Sequence, residues 1–305
     1  MTPLASLPAG PVRRVVYLGT PELAVVPLRA LVQAGVEVAL VVTRPDARRG
    51  RGAATSPSPV KAAALELDLP VTHDVTEVVS VGAQLGVVVA FGQLIRRPVL
   101  EVLPMVNLHL SLLPRWRGAA PVERALLAGD ALTGVCLMQL EEGLDTGPVL
   151  GCVERPITPT TTAAHLRTEL ASAGSALLID QLTSGLADGR EQTGEATYAA
   201  KLDPQEFVID WGRPAVEIDR LVRVGGASTT FRGRRLRVVS ARPTAHGELS
   251  EGEPGTLEGT SVATGRGWLD LVEVQPEGKR PMPAADWVRG ARPAPAERLG
   301  YGAAS

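Results

Sequence analysis

The amino-acid sequence predicts an α/β fold in which a mostly parallel sheet carries helices on both faces, followed by a small domain of short strands. The first part is indicated by near-continuous apolar strands that alternate with helical patterns. The second is indicated by short strand-like runs, punctuated by glycine and proline, from about residue 209. With 305 residues and 45% apolar content, the chain is long enough to form two domains.

The N-terminal elements follow from apolar runs and the residues that flank them. Residues 12–19 have the pattern of a buried strand, and Thr20 with Pro21 predicts the start of a helix that Gly35 ends. Pro27 is expected to kink this helix or to delay its start. The further predicted elements are strands at 36–43, 87–92 and 105–110, a short helix from Val60, an antiparallel strand pair at 132–140 and 147–157, and an amphipathic helix within 160–187.

The domain boundaries are predicted from a change in composition. Residues 189–208 are polar and irregular, as is typical of a linker. We therefore expect a first domain at 1–188, a linker at 189–208 and a β-domain, either a small barrel or a sandwich, at 209–305.

Composition also excludes several classes of protein. No apolar run approaches the roughly 18–20 residues that span a bilayer, and the N-terminus lacks a charged start followed by a long apolar region, so we expect a cytoplasmic protein. Cys136 and Cys152 lie in strand-like apolar segments without a partner His or Cys at ligand spacing. We expect both to be buried, reduced thiols, and we expect no zinc site.

The charge is unevenly distributed, although the net charge is only −2. Residues 43–61 carry a net charge of +4, and residues 213–242 contain eight arginines and carry a net charge of +6. Such segregation is typical of a basic docking surface on an acidic body. Two solvated loops would explain the same pattern equally well.

The stretch VNLHLSLLPRWRGAAP, residues 106–121, contains the strongest candidate site residues. A period-two strand places Asn107 and His109 on one face, at the end of an apolar strand where open α/β sheets bind ligands. The glycine-rich loop GLDTG adds Asp145. Imidazole can transfer a proton near neutral pH, a carboxylate can orient the imidazole, and an amide can donate to a developing oxyanion. The three residues therefore suit acyl transfer to an amine.

Other interpretations of these motifs remain open at this point. A histidine beside a strand is often a hydrogen-bonded core residue. Ser111 could be a nucleophile, but it lacks the sharp G-x-S-x-G turn that exposes such a serine. The first strand-turn-helix, LGTPE, has one glycine where a dinucleotide-binding loop needs three, so a nicotinamide enzyme is a weak alternative.

Beyond these three residues, the chain closely resembles the methionyl-tRNA formyltransferase family of the 10-formyltetrahydrofolate-dependent formyltransferases over nearly its whole length. The matching motifs are VNLHLSLLPRWRGAAP, EEGLDTG, GTPELA, VVTRPDARRGRG, VVVAFGQLI, YAAKL and VEVQPEGKRPMPAADWVRG. The resemblance implies a Rossmann-like catalytic domain and an OB-like β-barrel. It also implies that the enzyme formylates the α-amino group of methionine on initiator methionyl-tRNA for translation initiation.

The resemblance assigns roles residue by residue. Asn107, His109 and Asp145 match the catalytic residues of the family, and no metal is implied. The segment that matches the folate-binding residues comprises Ser111, Leu112, Leu113 and Pro114. The arginines that match the tRNA-binding loop are Arg48, Arg49 and Arg51.

A bacterial, cytoplasmic and monomeric enzyme is the expectation from this resemblance. A sugar-amine formyltransferase would keep the catalytic trio but would not need the arginine loop. A catalytically silent RNA-binding module is the alternative from another class, and the intact Asn-His-Asp set argues against it.

Overall fold

A computed structural model describes residues 3–48, 55–244 and 252–300 of the chain. The chain divides into two compact units, and each unit combines separate stretches of sequence. The first unit comprises Met1–Val122, Leu132–Pro156 and Leu166–Lys201, and the second comprises Glu123–Ala131, Ile157–His165 and Leu202–Ser305.

Strands and helices alternate through the first two-thirds of the chain. The strands are β1 (Arg14–Gly19), β2 (Glu37–Val42), β3 (Ala47–Arg48), β4 (Thr55–Ser56), β5 (Val71–Thr72), β6 (Leu85–Val89), β7 (Met105–His109), β8 (Arg117–Gly118), β9 (Leu132–Gln139), β10 (Val149–Pro156) and β11 (Tyr198–Ala199). The helices are α1 (Val25–Gln33), α2 (Pro59–Glu66), α3 (Arg97–Leu100), α4 (Pro121–Ala128) and α5 (Ala163–Ser184).

A seven-stranded sheet with the order β10-β9-β7-β6-β1-β2-β5 forms the centre of the first unit. Strands β7, β6, β1, β2 and β5 are parallel, whereas β9 and β10 are antiparallel to their neighbours. Every residue of β6 and β7 is buried, as expected for parallel strands covered on both faces. The predicted α/β fold, with its antiparallel pair, is confirmed.

The predicted first helix begins later than Thr20. A 3₁₀ turn at Glu22–Ala24 follows Pro21, and α1 begins only at Val25. Thr20 does not cap the helix, because its hydroxyl donates to the carbonyl of Phe91 at 3.1 Å. Pro27 lies in the first turn of α1, where its missing N–H leaves no helical hydrogen bond unmade, so it delays the helix rather than kinking it.

The two cysteines form a disulfide, so the prediction of two buried, reduced thiols was wrong. Cys136 on β9 and Cys152 on β10 lie directly opposite each other, with Cα atoms 4.1 Å apart. Cys136 is buried, but Cys152 is exposed on the edge strand. The antiparallel register brings together two residues 16 apart in sequence, a relationship that ligand spacing in the sequence could not indicate.

The second unit contains an antiparallel sheet with two helices. Its strands are β12 (Ser228–Phe231), β13 (Arg234–Thr244), β14 (Leu257–Glu258), β15 (Ser261–Ala263), β16 (Trp268–Pro276) and β17 (Met282–Pro283), and its helices are α6 (Ala215–Val224) and α7 (Ala284–Ala291). The strand order is β12-β13-β16-β15-β14, with β17 also paired to β16.

The C-terminal segment 297–300 links the two edges of this sheet. At one edge, Leu257 donates to the carbonyl of Glu297 at 2.9 Å. At the other edge, Gly300 donates to the carbonyl of Thr230 at 2.9 Å. Hydrogen bonds therefore run from β14 through this segment to β12, which closes the sheet as in a small barrel.

The apolar core of the second unit lies between its sheet and its helices. Trp211, Ile218 of α6 and Trp287 of α7 are buried there, and Trp287 meets Phe231 edge-on at 5.1 Å between ring centroids. Within the described part of the chain, no helix combines the length and the apolarity needed to cross a membrane.

Candidate active site

Asn107 and His109 lie on β7, an interior strand of the seven-stranded sheet, and His109 is its last residue. Strand β7 is parallel to β6 on one side and antiparallel to β9 on the other. Both side chains are buried, with Asn107 9% exposed and His109 5% exposed. The carboxyl ends of parallel strands are where open α/β sheets bind ligands, so the sheet places this pair where a site is expected.

Asp145 approaches both residues from the connection between β9 and β10. The Nδ2 of Asn107 donates to Oδ1 of Asp145 at 3.4 Å, and Nδ1 of His109 lies 3.5 Å from Oδ2. The two oxygens of one carboxylate thus face the two residues. This confirms the prediction that Asn107 and His109 share one face of the strand.

The loop that carries Asp145 is tightly constrained. Asp145 has a backbone φ of +51°, a left-handed conformation that costs a residue other than glycine about 1–3 kcal/mol. The backbone N–H of Gly118 donates to Oδ2 of Asp145 at 2.8 Å. A Cβ added to Gly147 would lie 2.1 Å from the carbonyl oxygen of Gln139, so only glycine fits there.

The other ring nitrogen of His109 faces the main chain. Its Nε2 lies 2.8 Å from the carbonyl oxygen of Trp116. Because a carbonyl oxygen only accepts hydrogen bonds, Nε2 carries a hydrogen in this arrangement. In the neutral ring, Nδ1 is then free to take up a proton on the side of Asp145. Trp116 itself has a left-handed backbone, with φ of +62°.

The segment Ser111–Pro114 follows His109 directly. Ser111 is fully buried, and its hydroxyl donates to the carbonyl of Arg115 at 2.6 Å, so it shapes the loop rather than projecting into solvent. Leu113 lines a groove of about 770 Å³, together with residues 149–152 and 187–193. This volume is in the range of small-molecule binding sites.

Several residues around the site carry no signal that sequence reasoning could have used. Trp116 and Gly118 contact the trio through their main chains, which every residue possesses. Gln192, in the segment predicted to be a linker, donates through Nε2 to the carbonyls of Asp145 and Gly147, each at 2.8 Å. Because Gln192 and Asp145 are far apart in the sequence, no local pattern indicates this contact.

Of the three arginines expected to bind tRNA, Arg48 lies within the described part of the chain. Arg48 ends β3, which pairs with β4 as a two-stranded ribbon. Arg49 and Arg51 lie outside the described residues. Among the described residues, no group of three His, Cys, Asp or Glu side chains is placed to hold a metal ion.

The arrangement combines a buried imidazole, a carboxylate and an amide donor. The imidazole lies between the carboxylate of Asp145 and the carbonyl of Trp116, where its protonated form would supply positive charge, and the amide of Asn107 can donate to an oxygen that gains negative charge. The hydroxyl of Ser111 is already committed to a backbone carbonyl. The site therefore suits direct attack by an amine on an activated acyl group.

Two solved structures resemble the chain over most of its length. One is HypX from Aquifex aeolicus in complex with tetrahydrofolic acid, with a TM-score of 0.61 and 17% identity, covering 91% of this chain and 47% of that chain. The other is WlaRD, a sugar 3N-formyl transferase, with a TM-score of 0.62 and 15% identity, covering 89% of this chain and all of that chain. At these identities the likeness shows a shared fold alone.

Family and sequence comparisons go further. Residues 13–182 match the family described as Formyl transferase, and residues 201–292 match Formyl transferase, C-terminal domain. A methionyl-tRNA formyltransferase of Symbiobacterium thermophilum is 44% identical over an alignment of 301 positions, which covers 91% of this chain and 92% of that protein. One of Streptomyces coelicolor is 43% identical over an alignment of 312 positions, which covers 94% of this chain and 99% of that protein. The chain therefore belongs to the methionyl-tRNA formyltransferase family.

Proposed function

We propose that the chain transfers the formyl group of 10-formyltetrahydrofolate to the α-amino group of methionine on initiator methionyl-tRNA, for translation initiation. The observation that carries this proposal is the convergence of Asn107 and His109 on the two oxygens of Asp145. Family membership supplies the formyl donor and the acceptor.

The trio has separate tasks in the proposed reaction. The neutral α-amino group attacks the formyl carbon, and Asn107 donates to the formyl oxygen as it gains negative charge. His109 in its protonated form adds a second positive group near that oxygen. Asp145 stabilises the charged imidazole and accepts the proton that the attacking amine loses. This proton passes from Asp145 to N10 of the folate as the bond between N10 and the formyl carbon breaks.

Folate binding is assigned to Ser111, Leu112, Leu113 and Pro114. Leu113 faces the groove, and the apolar side chains of the segment suit the flat aromatic parts of a folate. Because the hydroxyl of Ser111 is used within the loop, Ser111 contributes through its backbone and by holding the segment in shape.

Transfer RNA is proposed to contact the arginine loop and the second unit. Arg48, Arg49 and Arg51 belong to the basic, glycine-containing loop, which can approach the phosphates of an acceptor stem. In the second unit, Arg234, Arg235 and Arg237 are exposed on β13. Long basic side chains on an exposed strand suit phosphate contacts that do not depend on base sequence.

We also propose that the protein acts in the bacterial cytoplasm as a monomer, with a catalytic domain at 1–188, a linker at 189–208 and a tRNA-binding domain at 209–305. The composition change near residue 189 supports the first boundary. The antiparallel sheet, whose first strand begins at Ser228, supports the separate C-terminal domain.

A direct assay tests the proposed function. Purified protein is incubated with 10-formyltetrahydrofolate and one of two acceptors, charged initiator tRNA or a nucleotide-linked amino sugar, and formylated product is measured by mass spectrometry. We expect product with the tRNA alone. Product with the amino sugar alone would establish a sugar-amine formyltransferase, and tRNA binding without product from either acceptor would establish a silent RNA-binding module.

A further inference from the structure

We infer that Gln192 is a positioning residue for the reaction. It holds together the loop that contains Trp116 and the loop that contains Asp145, and these two loops supply both partners of His109. The inference rests on the proposed function, because it assigns a role within the same site. Gln192 lies outside the trio, the folate segment and the arginine loop.

The carboxamide of Gln192 uses its full hydrogen-bonding capacity between the two loops. Its Nε2 donates to the carbonyls of Asp145 and Gly147, each at 2.8 Å. Its Oε1 accepts from Nε and Nη2 of Arg117, at 3.1 and 2.7 Å. Flipping the amide would place oxygen against two carbonyls and nitrogen against a guanidinium, so the network sets the side chain in one orientation.

The carboxamide of Gln192 binds one partner of His109 directly and binds the sequence neighbour of the other. Asp145 faces Nδ1 of His109 through its carboxylate and binds Gln192 through its carbonyl. Arg117 directly follows Trp116, whose carbonyl lies at Nε2 of His109. Gln192 thus joins the two loops that hold the imidazole, in addition to the hydrogen bond from the N–H of Gly118 to Oδ2 of Asp145.

Both of these partner residues have strained backbones. Asp145 and Trp116 are left-handed residues other than glycine, with φ of +51° and +62°. Such conformations persist only where the surroundings hold them in place. Gln192 binds the carbonyl of Asp145, and the hydroxyl of Thr197 accepts from the N–H of Trp116 at 2.9 Å.

The segment that carries Gln192 is itself fastened on both sides. Arg190 exchanges two backbone hydrogen bonds with Val149, at 2.8 and 2.9 Å. Further along, β11 is paired with β8. Gln192 therefore projects from a firmly held segment, and this gives its amide the rigidity needed to position two loops.

The principal test replaces Gln192 with an apolar side chain of similar length. Gln192→Met removes all four hydrogen bonds while keeping the volume of the side chain. We expect kcat for tRNA formylation to fall about tenfold to a hundredfold, and the KM for 10-formyltetrahydrofolate to change less than about threefold. Gln192→Glu keeps an acceptor for Arg117 but places an oxygen against two carbonyls, so kcat should fall in a protein that retains its fold.

The control is Gln181→Met. Gln181 belongs to the same unit and accepts a hydrogen bond from the N–H of Ala187 at 2.8 Å, but it contacts neither loop of the site. Its kcat should stay within about twofold of the wild-type value. Equal kcat values for the Gln181 and Gln192 variants would overturn the inference.

A second measurement separates positioning from general destabilisation. Gln192→Met is also introduced into a protein that carries Asp145→Ala, and the rate is measured in single-turnover assays. In this background Gln192→Met should lower the rate by less than about twofold, because there is no carboxylate left to position. The same tenfold or larger loss in that background would overturn the role assigned to Gln192. A wild-type protein that does not formylate charged tRNA would instead refute the proposed function.

Discussion

Nε2 of His109 lies 2.8 Å from the carbonyl oxygen of Trp116, seven residues further along the chain. This contact fixes the direction of the imidazole, since a carbonyl can only accept and Nε2 must therefore donate. Nδ1 is left facing Asp145 at 3.5 Å. The two ring nitrogens therefore have different partners, a carbonyl on one side and a carboxylate on the other.

Removing either polar residue of β7 should greatly lower the rate of formyl transfer and should hardly change the affinity for folate. We expect His109→Ala and Asn107→Ala each to lower kcat by a factor on the order of 10² to 10⁴, because each removes a group that acts on the developing charge. Formylation kinetics give kcat, and calorimetric titration with folate should give an unchanged Kd. Near-normal turnover in the histidine variant would refute the mechanism.

The arginine loop should act on the tRNA and not on the folate. We expect Arg51→Ala to lower kcat/KM for charged initiator tRNA at least about tenfold, or about 1.4 kcal/mol, through lost contact with the acceptor stem. The KM for folate should hardly change. Arg29→Ala, which removes an arginine paired with Glu66, is the matched control. Normal tRNA formylation by the Arg51 variant would mean that the loop is only solvated surface.

Gly147 should tolerate no side chain. In Gly147→Ala the new Cβ would meet the carbonyl oxygen of Gln139 at 2.1 Å, so the loop that carries Asp145 has to move. We expect a loss of about 1–3 kcal/mol in unfolding free energy and at least a tenfold lower kcat. Gly290→Ala is the control, because its Cβ would meet no atom within 4 Å. Similar stability and kcat in the two variants would show that the loop accommodates the added methyl group without displacing Asp145.

The disulfide should contribute measurably to stability. A cross-link between residues 16 apart closes a short loop, which corresponds to about 3 kcal/mol from the lowered entropy of the unfolded chain. Thermal unfolding with and without reductant should show a lower Tm on reduction. The double variant Cys136→Ala with Cys152→Ala should not respond to reductant. Two titratable thiols in the untreated protein would instead support the original expectation of reduced cysteines.

Glu206 should make a small, pH-dependent contribution to the stability of the second unit. Hydrogen bonds from Arg124 and from the backbone N–H of Asp203 hold the pKa of Glu206 below its ordinary value. A carboxyl with a lowered pKa stabilises the fold above its unfolded pKa and loses this contribution as pH falls through the folded pKa. Glu206→Gln should therefore lower unfolding free energy at neutral pH and have no effect in strong acid.

The size of this effect is limited by solvent. The side chain of Glu206 is 38% exposed, so screening restricts the difference to less than about 1 kcal/mol. Denaturant unfolding at about pH 7 and about pH 3 measures it, with exposed Glu277→Gln as the control. A difference that is equal at both pH values would contradict the assignment.

Local periodicity was enough to predict much of the fold and part of the site. Strand alternation places Asn107 and His109 on one face because successive side chains of any strand point to opposite sides. Apolar runs bounded by glycine and proline likewise predicted β6, β7 and the antiparallel pair β9 and β10. These features depend on residues close together in the chain, and a linear pattern records them.

Only the tertiary structure decided which distant groups complete the site. The carbonyl of Trp116 is chemically the same as every other carbonyl, so no side-chain pattern marks it as a partner of His109. Gln192 reaches Asp145 from a stretch whose polar composition predicts a linker.

The disulfide also depends on a contact between residues that are distant in the sequence. Strand register sets Cys136 against Cys152, although neither residue has a local partner in the sequence. Contacts of this kind depend on how strands and loops pack in three dimensions. The sequence therefore indicated the candidate residues Asn107, His109 and Asp145 and the sheet that carries the first two, and long-range packing determined the network that orients them.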